Sequence, residues 1–315
     1  MAQARAGAGG GGRLIPTPLE PAPPSVAAGR RLYLKREDVH ELGAFKWRGA
    51  LPVLERYRDA GAEAVVTAST GNHGAATAWA AQRTGLRAII YAPEGASEAK
   101  VGLVRSLGAE LRLVGPDLDV AKDEARAFAA ENGLPFFEDG AEPAQFDAYE
   151  GIGDEIVDQL GEPPAAVVVP VGNGALFIGV ARSLARGAPA AARVAVVAKE
   201  APVMALSIEA GRVVESDRSA TFADGMAVRV AIPLAVEELA PLVSSVLLVS
   251  ERAMARAIGA LAAEGIRVEA SGAAPLAALD QLGEVDGPVV LVVTGRNIDE
   301  EMHRRAVECP DSFPD

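Results

Sequence analysis

Apolar residues in this chain recur in short, nearly continuous runs, separated by longer stretches in which hydrophobic and polar positions alternate at helical spacing. The runs are Val65-Val66, Ala88-Ile89-Ile90-Tyr91, Leu111-Arg112-Leu113-Val114, Val167-Val168-Val169, Val194-Ala195-Val196-Val197, Val246-Leu247-Leu248-Val249 and Val289 to Val293. Short apolar runs bounded by turn residues suit strands buried on both faces. Ahead of them, Arg31-Leu32-Tyr33-Leu34-Lys35 alternates with a period of two and predicts a further strand, closed by Arg36-Glu37-Asp38. An Ala-rich helix is predicted from about Ala75 to Arg83, and another runs toward Leu184. Strand and helix alternation of this kind predicts an α/β fold with parallel sheets flanked by helices on both faces. No internal repeat of solenoid period is present.

Composition sharpens this picture in two ways. With 315 residues the chain exceeds what one hydrophobic core usually serves, so two α/β lobes folded as one body are expected. Half the residues are hydrophobic but only 4% are aromatic, so the core must be mostly Val, Leu, Ile and Ala. A formal charge of −13 argues against nucleic acid or an anionic membrane as partner, since both select a basic face. Anionic ligands must then be held locally. Met1 to Gly12 is Ala/Gly-rich, lacks the apolar core of a signal peptide and is expected to be a disordered tail. No apolar run approaches the roughly 18 residues needed to span a bilayer, and the single cysteine, Cys309, excludes an internal disulfide framework. A cytoplasmic protein is expected.

In parallel sheets, ligands bind beyond the carboxyl ends of the strands. Three strand ends carry unusual loops, and a lysine stretch ahead of them adds further candidate chemistry. In Gly43-Ala44-Phe45-Lys46-Trp47-Arg48-Gly49-Ala50, a lysine stands between two aromatic residues, and apolar burial would favour the nucleophilic amine that condenses with an aldehyde. The plain alternative is a lysine snorkelling from an amphipathic helix. Ala68-Ser69-Thr70-Gly71-Asn72-His73-Gly74 follows the strand at Val65 and offers hydroxyls, an amide and glycine-freed N–H groups for a small anion such as a carboxylate; alternatively it is a capped helix start. Val171-Gly172-Asn173-Gly174-Ala175-Leu176-Phe177-Ile178-Gly179 opens a helix and suits a phosphate. A dinucleotide fingerprint is the rival there, but its third glycine would fall at Phe177. Val293-Thr294-Gly295-Arg296-Asn297-Ile298-Asp299 follows the last strong strand, or is simply a turn with Asp299 capping the final helix.

Taken in this order and at these separations, the four loops resemble the pyridoxal-phosphate enzymes of fold type II, related to the tryptophan synthase β chain, and most of all the threonine/serine dehydratases. The likeness covers roughly residues 17 to 303, including Lys35-Arg36-Glu37-Asp38, Lys100 to Leu107 with Gly108-Ala109-Glu110, Ala223-Asp224-Gly225-Met226 and Glu269-Ala270-Ser271-Gly272-Ala273. It implies a two-lobed fold type II enzyme with a helix-flanked parallel sheet in each lobe. Residues 13–55 and 143–315 would form a large cofactor-binding lobe, and residues 56–142 a small lobe for the substrate carboxylate. By the same resemblance Lys46 would carry pyridoxal 5′-phosphate as a Schiff base and, once released, act as general base. Asn72 would bond the cofactor's 3′-oxygen, and Ser69, Thr70, Gly71 and His73 would hold the substrate carboxylate, mostly through backbone N–H groups. Gly172, Asn173, Gly174, Ala175 and Leu176 would cradle the phosphate, Thr294 would face the pyridine nitrogen, and Gly225 would lie against the cofactor.

The implied activity is β-elimination from threonine or serine, giving a 2-oxo acid and ammonia. This chain also departs from the family's pattern. Asn173 and Ala175 interrupt a phosphate loop that is usually four glycines. Arg296 replaces a common glycine and is a candidate for a second anionic group on the substrate, or for a surface salt bridge. Ala198-Lys199 stands where metal-activated relatives carry glutamate, so no metal is expected there. Thr70 supplies the hydroxyl that racemases of this group use on the opposite face, whereas Trp47 favours dehydratases over threonine-synthase-like members. The alternatives are thus a racemase or β-replacement enzyme, or a non-catalytic cofactor-carrying protein. An appended effector-binding domain is not expected within 315 residues, and a homodimer is the default assembly.

Overall fold

The computed structural model describes residues 16–96, 98–216 and 219–315. The expected tail, residues 1–12, lies outside them. Among the described residues nine strands form two sheets: β1 (Leu19–Pro21), β2 (Leu32–Arg36), β3 (Ala64–Ala68), β4 (Arg87–Ala92), β5 (Glu110–Leu113), β6 (Ala166–Pro170), β7 (Ala192–Ala198), β8 (Ser245–Val249) and β9 (Val289–Val293). A six-stranded sheet runs in the order β1-β2-β9-β6-β7-β8, and β3-β4-β5 form a separate three-stranded one. Every pairing is parallel except that of β1, an edge strand bonded antiparallel to β2. Three residues interrupted by Pro21 and preceded by Pro18 carry too little periodicity to be recognised as a strand.

Burial on both faces explains the continuous apolar runs. Val168, Val196, Leu291 and Val293 belong to one core cluster, while their sequence neighbours Val167, Val197, Val290 and Val292 belong to the cluster on the opposite face. Each contributes roughly 1.5–3 kcal/mol by leaving water, an upper bound because the unfolded chain is itself partly collapsed. The smaller sheet packs in the same way, with Val65 and Ile90 on one side and Val66, Ile89 and Tyr91 on the other.

One consequence matters for function. Strand β9 lies between β2 and β6, and all three run in the same direction. The chain leaving Arg36, Val293 and Pro170 therefore emerges at a single edge of the sheet, although these residues are far apart in sequence.

Candidate active site

At that edge the lysine stretch is fastened directly to the Thr294-Gly295-Arg296-Asn297 turn. Phe45 N donates to Thr294 O (3.1 Å), Arg296 N donates to Gly43 O (2.8 Å), and Ala44 and Gly295 face one another as an antiparallel bridge. Gly43 has φ +67°, and a Cβ there would lie 2.4 Å from Asn297 Oδ1, so this approach requires glycine. Lys46 follows immediately, as the residue before the helix Trp47–Asp59.

Lys46 Nζ donates to Asp139 Oδ2 at 2.5 Å and stands 5.1 Å above the Phe45 ring. Trp47 does not join them. It is buried, stacked on His40 (4.4 Å between centroids, 14° between planes) and edge-on to Trp79. The expectation of a lysine lodged between two aromatics is therefore corrected: adjacent residues entering a helix point about 100° apart, so Phe45 and Trp47 cannot both flank it. A carboxylate takes the second place. Burial alone would push the Asp139 carboxyl up, but the Lys46 ammonium and the His73 ring outweigh it and hold it well below the usual carboxylate range.

The loop after β3 brings the second set of groups. The helix Asn72–Thr84 starts earlier than the Ala75 expected from its apolar pattern, because Gly71 already accepts from Ala75 N (3.1 Å). Ser69 Oγ takes the Gly71 N–H at 3.1 Å, an ordinary turn contact. Asn72 Nδ2 is 3.1 Å from both carboxylate oxygens of Glu269, and Asn72 Oδ1 accepts from Asn297 Nδ2 (2.7 Å). His73 is buried with Nε2 3.1 Å from Thr67 Oγ1 and Nδ1 3.6 Å from Asp139 Oδ1, and burial pushes its pKa down. Thr70 sits half-buried at the start of this loop.

Glu269 and Asp139 are site residues that motif reading assigned no role. Burial pushes the Glu269 carboxyl up to about 7, against the opposing pull of Asn72. A carboxyl raised in the fold from 4.5 to about 7 binds a proton that the unfolded chain has already released, so its contribution is lost as pH rises through that window. Glu269→Gln is expected to hold its thermal midpoint between pH 5 and 8 better than the wild type, as differential scanning fluorimetry would show; parallel curves would place the titration elsewhere.

The glycine turn after β6 adjoins this cluster, with Asn173 against Gly140. A Cβ on Gly172 would fall 2.1 Å from Gly225 O, Gly174 has φ +96°, and Asn173 Oδ1 accepts from Ala175 N (3.1 Å) where the helix Ala175–Gly187 begins. Leu176 is buried in its first turn. The turn is joined to Lys46 through Asp139, since Gly140 packs so closely on Asn173 that a Cβ there would come within 2.6 Å of it. Arg296 extends Nη2 to His40 O (3.5 Å) and, among the described residues, meets no carboxylate. Among those residues there is also no group of three or more His, Cys, Asp or Glu side chains that could hold a metal ion.

Residues 12–295 match the family described as pyridoxal-phosphate dependent enzyme. The chain belongs to this family. It is 34% identical over 279 residues to an L-threonine ammonia-lyase of Geobacter sulfurreducens, covering 87% of this chain and 69% of that protein. It spans about half the length of the chloroplastic threonine dehydratases it also matches. Among solved structures, the processed form of threonine deaminase isoform 2 from Solanum lycopersicum superposes with a TM-score of 0.88 at 31% identity, covering 93% of this chain and 88% of that one. Maize serine racemase superposes with a TM-score of 0.85 at 26% identity, covering 93% and 91%. The fold type II architecture expected from the four loops is thus established.

Pyridoxal phosphate is the family's cofactor, and the residues present fit it. Thr294 Oγ1 and Ser271 Oγ are buried beside the glycine turns with no hydrogen-bond partner, a costly arrangement that a polar ligand atom would relieve. Gly225 is exposed next to Ser271, and the helix Ala175–Gly187 presents its N-terminus beyond Gly174.

Proposed function

We propose that this pyridoxal-phosphate enzyme is an ammonia-lyase that removes the amino group of threonine or serine, yielding a 2-oxo acid and ammonia. The observation that carries this reading is the link from Lys46 Nζ through Asp139 and Gly140 to Asn173, at the same sheet edge as the partnerless Thr294 hydroxyl. Bound pyridoxal phosphate supplies the electron sink that makes the substrate's Cα–H removable. Lys46 would hold it covalently, and its Nζ, when free, would be the group that takes the Cα proton. The N–H groups of Gly172 to Leu176 would hold the phosphate, Asn72 the 3′-oxygen and Thr294 the ring nitrogen, with Gly225 beside the ring. A hydroxyl at Thr294, unlike a carboxylate, would not hold that nitrogen protonated, a setting that would favour loss of a β-substituent. Ser69, Thr70, Gly71 and His73 would orient the substrate carboxylate, and Arg296, half-buried beside Gly43, would be available to an anionic β-substituent.

Release of a 2-oxo acid from L-threonine or L-serine, followed by reduction with a suitable dehydrogenase, tests the proposal; no product from either removes it. The racemase reading is kept alive by the Thr70 hydroxyl and the likeness to maize serine racemase. Cα deuterium exchange with inversion and no keto acid would select it. A cytoplasmic homodimer is proposed on general grounds; among the described residues no helix is long and apolar enough to cross a membrane.

A further inference from the structure

The carboxylate nearest the reactive amine belongs to Asp139, outside every motif the chain displays, and its position does not depend on Lys46. Residues 135–137 run alongside β3, bonded through Val66 N to Pro135 O (3.0 Å) and Phe137 N to Val66 O (2.8 Å). Beyond them Gln145 Nε2 donates to Asp139 Oδ1 (3.2 Å), and Gln145 Oε1 accepts from Gly140 N (2.8 Å). Gly140 has φ +85° and packs on Asn173 of the phosphate turn. The carboxylate is thereby fixed at the site whether or not the lysine reaches it. Its partners among the described residues are Lys46, the His73 ring and Gln145, so Lys46 supplies the one amine among them.

We propose that Asp139 is a catalytic residue: it stabilises the ammonium that Lys46 becomes on taking the Cα proton. The inference rests on the ammonia-lyase reading above. In that step the substrate's Cα–H bond breaks, an N–H bond forms at Nζ, and the electron pair passes into the conjugated system of the bound cofactor. The new positive charge arises within 2.5 Å of Asp139 Oδ2. It also arises at the start of the helix Trp47–Asp59, whose positive end opposes a cation, so the compensating anion has a definite task. The carboxylate cannot serve as the proton donor itself, because the neighbouring charge keeps it ionised.

The test is the holoenzyme with Asp139→Asn, which preserves shape and removes charge. With L-threonine, kcat is expected to fall about 10²-fold, the low end of what a positioned proton-transfer group contributes, while cofactor content stays at the wild-type level. The deuterium isotope effect on kcat with Cα-deuterated substrate rises, because Cα–H cleavage becomes slower than the other steps. Asp139→Glu recovers part of the rate. Independently of turnover, the apo form of Asp139→Asn captures pyridoxal phosphate at lower pH than the wild-type apo protein, since the lysine no longer leaves an ion pair. Retention of kcat within threefold overturns the proposal, as does a fall accompanied by cofactor loss with an unchanged isotope effect, which marks a structural role. If Asp139→Asn does not fold, Asp139→Ser supplies the same comparison. If the wild type acts on neither threonine nor serine, the ammonia-lyase reading fails, and the capture experiment still decides whether Asp139 controls the charge on Lys46.

Discussion

Lys46→Ala is expected to abolish the visible absorbance band of the bound cofactor and to lower turnover of threonine or serine by about 10³-fold or more. Two functions are lost at once. The covalent attachment goes, and so does the amine that takes the Cα proton, a contribution that by itself typically reaches 10²–10⁴-fold. The fold should survive. Lys46 is joined to its surroundings mainly by the Asp139 ion pair, and Phe45 and Trp47 on either side are held by independent contacts, to Tyr149 and to His40 with Trp79. Circular dichroism unchanged from wild type, together with a lost band and lost turnover, is the expected result. A band that persists in Lys46→Ala would show that another amine carries the cofactor and would sink the assignment.

The second large effect concerns stability. Arg48, two residues beyond Lys46, is almost wholly buried and forms paired hydrogen bonds with two carboxylates, to Glu37 at 2.8 and 3.0 Å and to Glu155 at 2.7 and 2.8 Å, with Thr17 Oγ1 at 3.0 Å. Lys35, fully buried, completes the cluster by donating to Glu155 (2.5 Å) and Thr17 O (2.6 Å). Two cations and two anions balance there. Arg48→Met keeps much of the side-chain volume but leaves two buried carboxylates with one lysine between them. Removing one partner of a buried pair costs roughly 3–5 kcal/mol. For a chain of this size that corresponds to a thermal midpoint lowered by roughly 5–8 °C. A fall of less than about 1.5 °C, which is under about 1 kcal/mol on the same scale, would mean that the cluster relaxes or admits water. Because the network ties β2, the helix Pro143–Leu160 and the first turn of the helix after Lys46 together, cofactor affinity should weaken in parallel.

Much of this protein was legible in its residues. Of the nine strands among the described residues eight announced themselves, most through the unbroken Val, Ile, Leu and Ala that burial on both faces demands and β2 through its period of two, patterns that survive without knowledge of neighbours. The glycine turns were equally visible, since positive φ at Gly43 and Gly174 and the close approach at Gly172 leave no other residue possible. The Lys35-Arg36-Glu37-Asp38 stretch was conspicuous, yet its role in a four-charge cluster with Glu155 and Thr17 was not, because partners some 120 residues apart carry no local signal.

What tertiary structure alone decided is the company each reactive group keeps. Lys46 and Phe45 were expected together, but Asp139 arrives from residues 135–137, where Pro135 obscures the strand-like course beside β3, and Trp47 is carried away by the turn of its helix. Glu269 acquires its raised affinity for a proton only because the fold places it against Gly295 and Asn72 and partly out of water. The sequence by itself determined the strands, the turns and the types of chemistry available, since these follow from steric and hydrophobic rules acting over a few residues. Only the folded chain determined which charges face which, because electrostatic partners are chosen by distance in space and by the exclusion of water.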